Sequence, residues 1–308
     1  MKSTRLMNTN NAQNAPLSGF SSLSRYKLPE HKEKTTNISK LHSGSLTDLY
    51  HGDCLEIMDE LIENGTKVEA IITDPPYGLT SCEWDSVIPF EEMWPRLNEL
   101  IIPGGAILLF GIEPFSSTLR VSNLKEYNYD WYLKKTLVSN FMNAHSQPMR
   151  RVEMVHVFNA APERYFPQGL TRILGSRAKK NNSKCEVYNM DSVLRRPNYT
   201  QEFTNYPNNL LDCGRPQEPY HPTQKPVDLM EYLVETYTKQ GEKVLDFTMG
   251  SGSTGVACKQ LKRHFLGIEL DDEYFTYAKN RIESTPPGTS LKTKQLNLSE
   301  YGRPHKFY

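Results

Sequence analysis

At 308 residues the chain can hold one large α/β domain with an insertion, or two small domains. Its formal net charge of zero argues against a protein that coats nucleic acid by charge alone, while 37% hydrophobic residues, with 12 Phe and 17 Tyr, allow a real core. Five scattered cysteines (Cys54, Cys82, Cys185, Cys213, Cys258) have no metal-ligand spacing and no apolar run approaches a membrane span, so no metal, no disulfide frame and no membrane partner are expected, and a reducing, cytoplasmic setting is.

Residues 1–45 are rich in Ser, Asn, Thr and Lys without sustained periodicity, and read as a flexible arm. Leu49-Tyr50-His51 reads as a short strand with Asp53 at its end, and Leu55, Ile57, Met58, Leu61 and Ile62 have helical spacing. Val68–Ile72 is a buried strand that runs into Thr73-Asp74-Pro75-Pro76-Tyr77-Gly78. A helix over about 90–101 ends before Pro103-Gly104-Gly105, and Ala106–Phe110 is the next buried strand. Phe115 to Leu124 reads as helix, and Tyr129, Trp131 and Leu133 alternate as in a strand.

Between about 160 and 218 periodicity fades and Pro, Asn, Arg and Tyr accumulate, which marks an insertion. The wider stretch 131–200 holds twelve Lys/Arg against four Asp/Glu, a local basic excess suited to a polyanion. Pattern returns at Pro226, which suits the first turn of a helix over 227–239 that Gly241 ends. Lys243–Phe247 reads as strand, Gly252–Leu261 as helix and Phe265–Glu269 as strand, and Asp271 caps a last helix to about Ile282. The segment from Ser284 onward has Pro-Pro-Gly and no period. Strands alternating with helices imply a mostly parallel sheet covered on both faces.

Gly250-Ser251-Gly252-Ser253-Thr254-Gly255 has the spacing of a nucleotide-cofactor turn, with Glu269 placed to bond ribose hydroxyls. Read alone, this turn fits NAD as well. Two details weaken that reading: four residues (Asp246-Phe247-Thr248-Met249) separate the strand from the first glycine, and only one strand–helix unit follows.

Asp246-Phe247-x-x-Gly250-x-Gly252-Ser253-Thr254 followed by Gly267-Ile268-Glu269 resembles the S-adenosylmethionine (SAM) site of DNA amino-methyltransferases. With Asp74-Pro75-Pro76-Tyr77-Gly78 preceding it, the chain resembles the β-class of that family over about 47–283, and His221-Pro222-Thr223-Gln224-Lys225-Pro226 and Gly52-Asp53-Cys54 match two further family segments. The resemblance implies a Rossmann-like α/β methyltransferase fold with a flexible arm (1–45), a catalytic domain in two parts (46–159 and 219–284), a target-recognition insertion (160–218) and a tail (285–308). It implies SAM as cofactor, held by Asp53, Lys225, Asp246, Phe247, Gly250, Gly252, Ser253, Thr254 and Glu269.

It also implies a flipped base in double-stranded DNA, with Asp74 and the Pro75 carbonyl accepting from its amine, Pro76 fixing the turn, and Tyr77 and Phe141 stacking on it. The leading Asp, where cytosine-N4 enzymes usually carry Ser, resembles the adenine-N6 pattern, with cytosine N4 the alternative. Arg177, Lys179, Lys180 and Lys184 are the expected phosphate contacts, and Asn181 or Asn182 could read a base edge. A homodimer and a partner restriction endonuclease complete what the resemblance brings. Val152-Glu153 stands where family members commonly carry His-Glu, while Cys82 and Asp85 read as an ordinary loop, and His145, His156 and His221 form no triad or ligand spacing.

Overall fold

The computed structural model describes residues 40–43, 46–79, 85–180, 198–214 and 224–290. In chain order the strands are β1 (Lys40–Ser43), β2 (Thr47–His51), β3 (Val68–Thr73), β4 (Ile101–Gly111), β5 (Tyr127–Ser139), β6 (Arg150–Phe158), β7 (Thr171–Lys180), β8 (Asn198–Thr204), β9 (Leu210–Cys213), β10 (Lys243–Asp246) and β11 (His264–Glu269). The helices are α1 (Cys54–Glu63), α2 (Phe90–Leu100), α3 (Phe115–Ser122), α4 (Val227–Tyr237), α5 (Ser253–Gln260) and α6 (Asp272–Ser284).

Nine strands form one sheet in the order β1-β2-β11-β10-β3-β4-β6-β5-β9. From β2 to β4 every neighbour is parallel, whereas β6 runs antiparallel to β4 and to β5. The late strands β10 and β11 thus lie between the early strands β2 and β3. This interleaving puts the chain's two motif-bearing turns at the same end of adjacent strands, where open α/β sheets bind ligands.

Strand alternation divides the core between the two faces. Ala70, Ile72, Leu108, Phe110 and Val244 pack with residues of α4, α5 and α6, while Ile71, Ile107, Leu109 and Leu245 pack with residues of α1, α2 and α3. Helix starts follow their caps: the Asp53 carboxylate accepts from the amides of Leu55 and Glu56, and that of Asp271 from Glu273 and Tyr274.

Three local expectations change. Pro103-Gly104-Gly105 does not precede a strand but lies inside β4, which bulges there: its register with β3 shifts between Val68 and Ala70, and Gly104 has φ +74°. Lys40–Ser43, read as part of the arm, pairs with β2, an edge contact that four residues are too short to announce by period. Pro226 sits at the N-cap of α4 rather than within its first turn, and the helix ends at Tyr237 with Thr238 as its C-cap, before Gly241. Within residues 160–218, β7 and β8 make a separate antiparallel pair, while β9 joins the main sheet beside β5.

Candidate active site

The turn after β3 is held from three sides. Asp85, buried at 7% exposure, accepts the amide of Tyr77 at 2.7 Å and that of Gly78 at 2.9 Å on one oxygen, and that of Leu79 at 2.9 Å on the other. Read from the sequence as an ordinary loop residue, Asp85 is the cap of this turn. The Tyr77 ring leans on Phe115 at 5.0 Å between centroids, and its hydroxyl donates to Asp74 Oδ1. Burial, then the charge of Asp74, pushes the Tyr77 phenol well above its ordinary pKa, so it stays a donor. Lys225 Nζ donates to Asp74 Oδ2 at 2.5 Å, and its backbone carbonyl accepts from Ser253 Oγ at 2.8 Å. The side chain expected on the cofactor side therefore meets the carboxylate of Asp74, while its main chain ties into the glycine turn.

The turn after β10 is built around two carboxylates. Asp246, at 4% exposure, accepts from Thr73 Oγ1 at 2.8 Å, Thr254 Oγ1 at 2.6 Å and the Thr248 amide at 3.3 Å. Burial lifts its pKa to about 7, those three donors working in the opposite direction. Glu269 accepts the Gly250 amide at 2.8 Å and the Asp271 amide at 3.0 Å, and burial raises its pKa against those bonds. A carboxylate has about four acceptor positions, so two amides fix its direction and leave capacity for hydroxyls. Gly250 has φ +52°, and a Cβ built there would meet no atom within 4 Å: the turn opens onto free space beside the fixed carboxylate. Gly252, at φ +75°, instead packs closely, its Cβ position lying 2.9 Å from Ile282 Cδ1. The two turns also touch directly, since Thr248 Oγ1 donates to the Asp74 carbonyl at 3.1 Å.

A family model described as DNA methylase, of the N6/N4 methyltransferase type, matches residues 68–280, which include both turns. The chain belongs to this family. The methylase is 27% identical over 266 residues to the Type II methyltransferase M2.DpnII of Streptococcus pneumoniae, covering 77% of this chain and 89% of that one. It is 24% identical over 258 residues to the Type II methyltransferase M.HpaI of Haemophilus parainfluenzae, covering 75% and 73%. Among solved structures it resembles the M1.HpyAVI–SAM complex, with 28% identity, a TM-score of 0.53, and coverage of 77% of this chain and 100% of that one. The cytosine-N4-specific PvuII DNA methyltransferase, 17% identical with a TM-score of 0.51 over 78% and 87% of the two chains, shares the fold. The methylase is accordingly a SAM-dependent DNA amino-methyltransferase of Rossmann-like fold, with DNA as its substrate.

Other site residues of the methylase stand as follows. Phe247, expected at the cofactor, is 1% exposed and packs in the core with Leu245 and Leu266, and its amide donates to Thr73 Oγ1 at 3.0 Å. The hydroxyls of Ser253 and Thr254 are engaged by Lys225 O and Asp246, and hold the turn. Asp53 caps α1 at the end of β2, next in the sheet to β11. Phe141 is 78% exposed in a short 3-10 turn, Phe141–Asn143, that links β5 to β6. Arg177, Lys179 and Lys180 lie on β7, and Lys184, Asn181, Asn182, Cys82 and His221 lie outside the described residues.

Two features were not legible in the sequence. Glu153 on β6 faces the Asp74–Lys225 pair, with Oε2 3.8 Å from Lys225 Nζ and Oε1 2.7 Å from Lys135 Nζ. His156 is fully buried between Asp130 Oδ1 at 2.6 Å and Ser116 Oγ at 2.8 Å. Those are triad-like distances, but all three side chains lack access, so the array is a structural one. No helix among the described residues is long and apolar enough to cross a membrane, and no cluster of His, Cys, Asp or Glu among them is arranged to hold a metal.

Proposed function

We propose that this methylase transfers a methyl group to the N6 amine of adenine, flipped out of double-stranded DNA. The observation that carries the reading is the position of the Asp74 carboxylate, at the end of β3 and joined through Thr73 and Thr248 to the turn that Glu269 completes. The lone pair of an exocyclic amine is delocalised into the ring and is a poor nucleophile. Asp74 accepts one amine hydrogen and the Pro75 carbonyl the other, which favours tetrahedral character at nitrogen as positive charge develops. Asp85 and the two prolines hold these acceptors in place, so little reorganisation is required. Tyr77, backed by Phe115, offers a face to the base. Phe141, exposed beyond β5, is assigned to the base's other face, and the β7 residues Arg177, Lys179 and Lys180, with Lys184, to phosphates.

SAM, when bound, supplies a methyl group made electrophilic by its sulfonium. Glu269 accepts from the ribose hydroxyls, Gly250 leaves the room its missing Cβ would take, Gly252 shapes the helix entry, Asp53 serves the adenine end, and Asp246 holds the two turns in register near the methionine end. The insertion at 160–218, with the β7–β8 pair, serves target recognition between the catalytic parts at 46–159 and 219–284. A partner restriction endonuclease, a homodimer and a cytoplasmic setting belong to the same reading, the first in keeping with the Type II names of the relatives.

Labelled SAM with unmethylated duplex DNA, followed by digestion and nucleoside identification, tests the base. N6-methyladenine is expected; label in N4-methylcytosine would replace adenine by the second substrate of the family.

A further inference from the structure

Both oxygens of Asp74 are engaged, Oδ1 by the Tyr77 hydroxyl and Oδ2 by the Lys225 ammonium at 2.5 Å. The ammonium also lies 4.9 Å from the centre of the Phe110 ring and 3.8 Å from Glu153 Oε2. Lys225, Glu153 and Asp74 expose 13%, 19% and 25% of their side chains, so solvent screens these charges weakly. Burial disfavours the ammonium, but Asp74 and Glu153 outweigh it and raise its pKa, and Lys225 remains a cation. This arrangement opposes the chemistry assigned to Asp74. A target amine has to donate to the same carboxylate, and its nitrogen becomes positive during transfer, so a cation paired with Asp74 repels the transition state.

The lysine has a flexible four-carbon stem and a second carboxylate within one short displacement. Glu153 is suited to receive it: Lys135 anchors Oε1 at 2.7 Å, and Oε2 is the oxygen nearer Lys225. Glu153 pairs in register with Leu133 on β5, two residues before Lys135, so the anchoring ion pair is set by the sheet. Its carboxyl, although buried, is held below its usual pKa by Lys225 and Lys135 and so stays charged.

We propose that Lys225 is a movable counter-ion of Asp74, and that Glu153 is the positioning residue that draws it off when the target amine occupies that carboxylate. Lys225 neutralises Asp74 until the target amine arrives; during transfer it pairs with Glu153. The proposal rests on the acceptor role given to Asp74 above.

The test is a double-mutant cycle of Glu153→Gln and Lys225→Met in the full chain, read by the single-turnover methyl-transfer rate at saturating SAM and DNA. Glu153→Gln is expected to slow transfer by about tenfold or more, with SAM and DNA affinities within about twofold of wild type. Glu153→Asp, which keeps the charge, is expected to recover most of the rate. In the Lys225→Met background, Glu153→Gln is expected to change the rate by less than about twofold, because Glu153 acts through the lysine. Equal slowing in both backgrounds, or a Glu153→Asp enzyme as slow as Glu153→Gln, overturns the proposal. Wild-type enzyme that methylates no DNA amine would instead remove the functional reading beneath it.

Discussion

Thr73 donates its hydroxyl to Asp246 at 2.8 Å, so the last residue of β3 is fastened to the last residue of β10. Each of these residues leads into one of the two motif turns. This buried hydrogen bond, across adjacent parallel strands, joins residues 173 positions apart in the chain. Thr73 Oγ1 in turn accepts the Phe247 amide at 3.0 Å, which makes it a two-way link. The two motif turns are therefore joined by side-chain bonds as well as through the sheet.

The pH dependence of stability follows from Asp246. Its folded pKa is about 7, against an ordinary carboxyl value of 3.8. Between those limits the folded state holds a proton that the unfolded state has released, so stability from this group falls as pH rises from about 4 to about 7. Above that window the cost of the buried charge is fully present. Asp246→Asn removes the titration, and its stability relative to wild type is expected to rise across the window. Urea denaturation of both proteins at pH 4.5 and pH 8 checks this, and a difference independent of pH contradicts it.

Glu269→Ala removes a carboxylate that two amides hold in place. A hydrogen bond to a charged group contributes about 1.5–3 kcal/mol, so SAM affinity is expected to fall by roughly 10- to 150-fold. Calorimetric titration with SAM measures it directly. Unchanged affinity would remove Glu269 from the cofactor site.

The buried Ser116–His156–Asp130 array fixes α3, whose Phe115 supports the Tyr77 ring. Asp130 also receives Arg120 Nη1 at 3.0 Å. Asp130→Ala strips both partners of their shared acceptor and is expected to cost about 3–5 kcal/mol in denaturant unfolding. A loss below about 1 kcal/mol would mean that water replaces the carboxylate there.

Gly255 sits where α5 crosses β11 and α6. A Cβ added there would lie 2.5 Å from Ile282 Cδ1 and 2.7 Å from Phe265 Cε1. Gly255→Ala is expected to destabilise by about 1–3 kcal/mol through overpacking. The loss appears in a thermal melt without SAM, which separates packing from any ligand contact. An unshifted melt would show that the helix moves aside freely.

Much of this was legible because it is local. The alternation of buried strands and helices marked β3, β10, α5, β11 and α6, and the motif turns carried Asp74, Tyr77, Gly250 and Glu269 within short windows. β6 was missed for a physical reason: Val155 to Phe158 is buried on both faces, so no alternation shows, and His156 interrupts the apolar run. β9 is four residues long and is defined by its pairing with β5, about 80 positions earlier. Glu153 and Thr73 gain their roles only from Lys225 and Asp246, residues remote in sequence, and Asp85 only from the turn it wraps around. The burial of Phe247 in the core was likewise not announced by its place in the motif.

The most direct test is Asp74→Ala, assayed for SAM binding and for single-turnover transfer to duplex DNA. SAM binding is expected to persist, because Glu269 and the glycine turn keep their own hydrogen bonds, while formation of N6-methyladenine is expected to be lost. An Asp74→Ala enzyme that still methylates adenine at a rate near wild type would contradict the role assigned to this carboxylate.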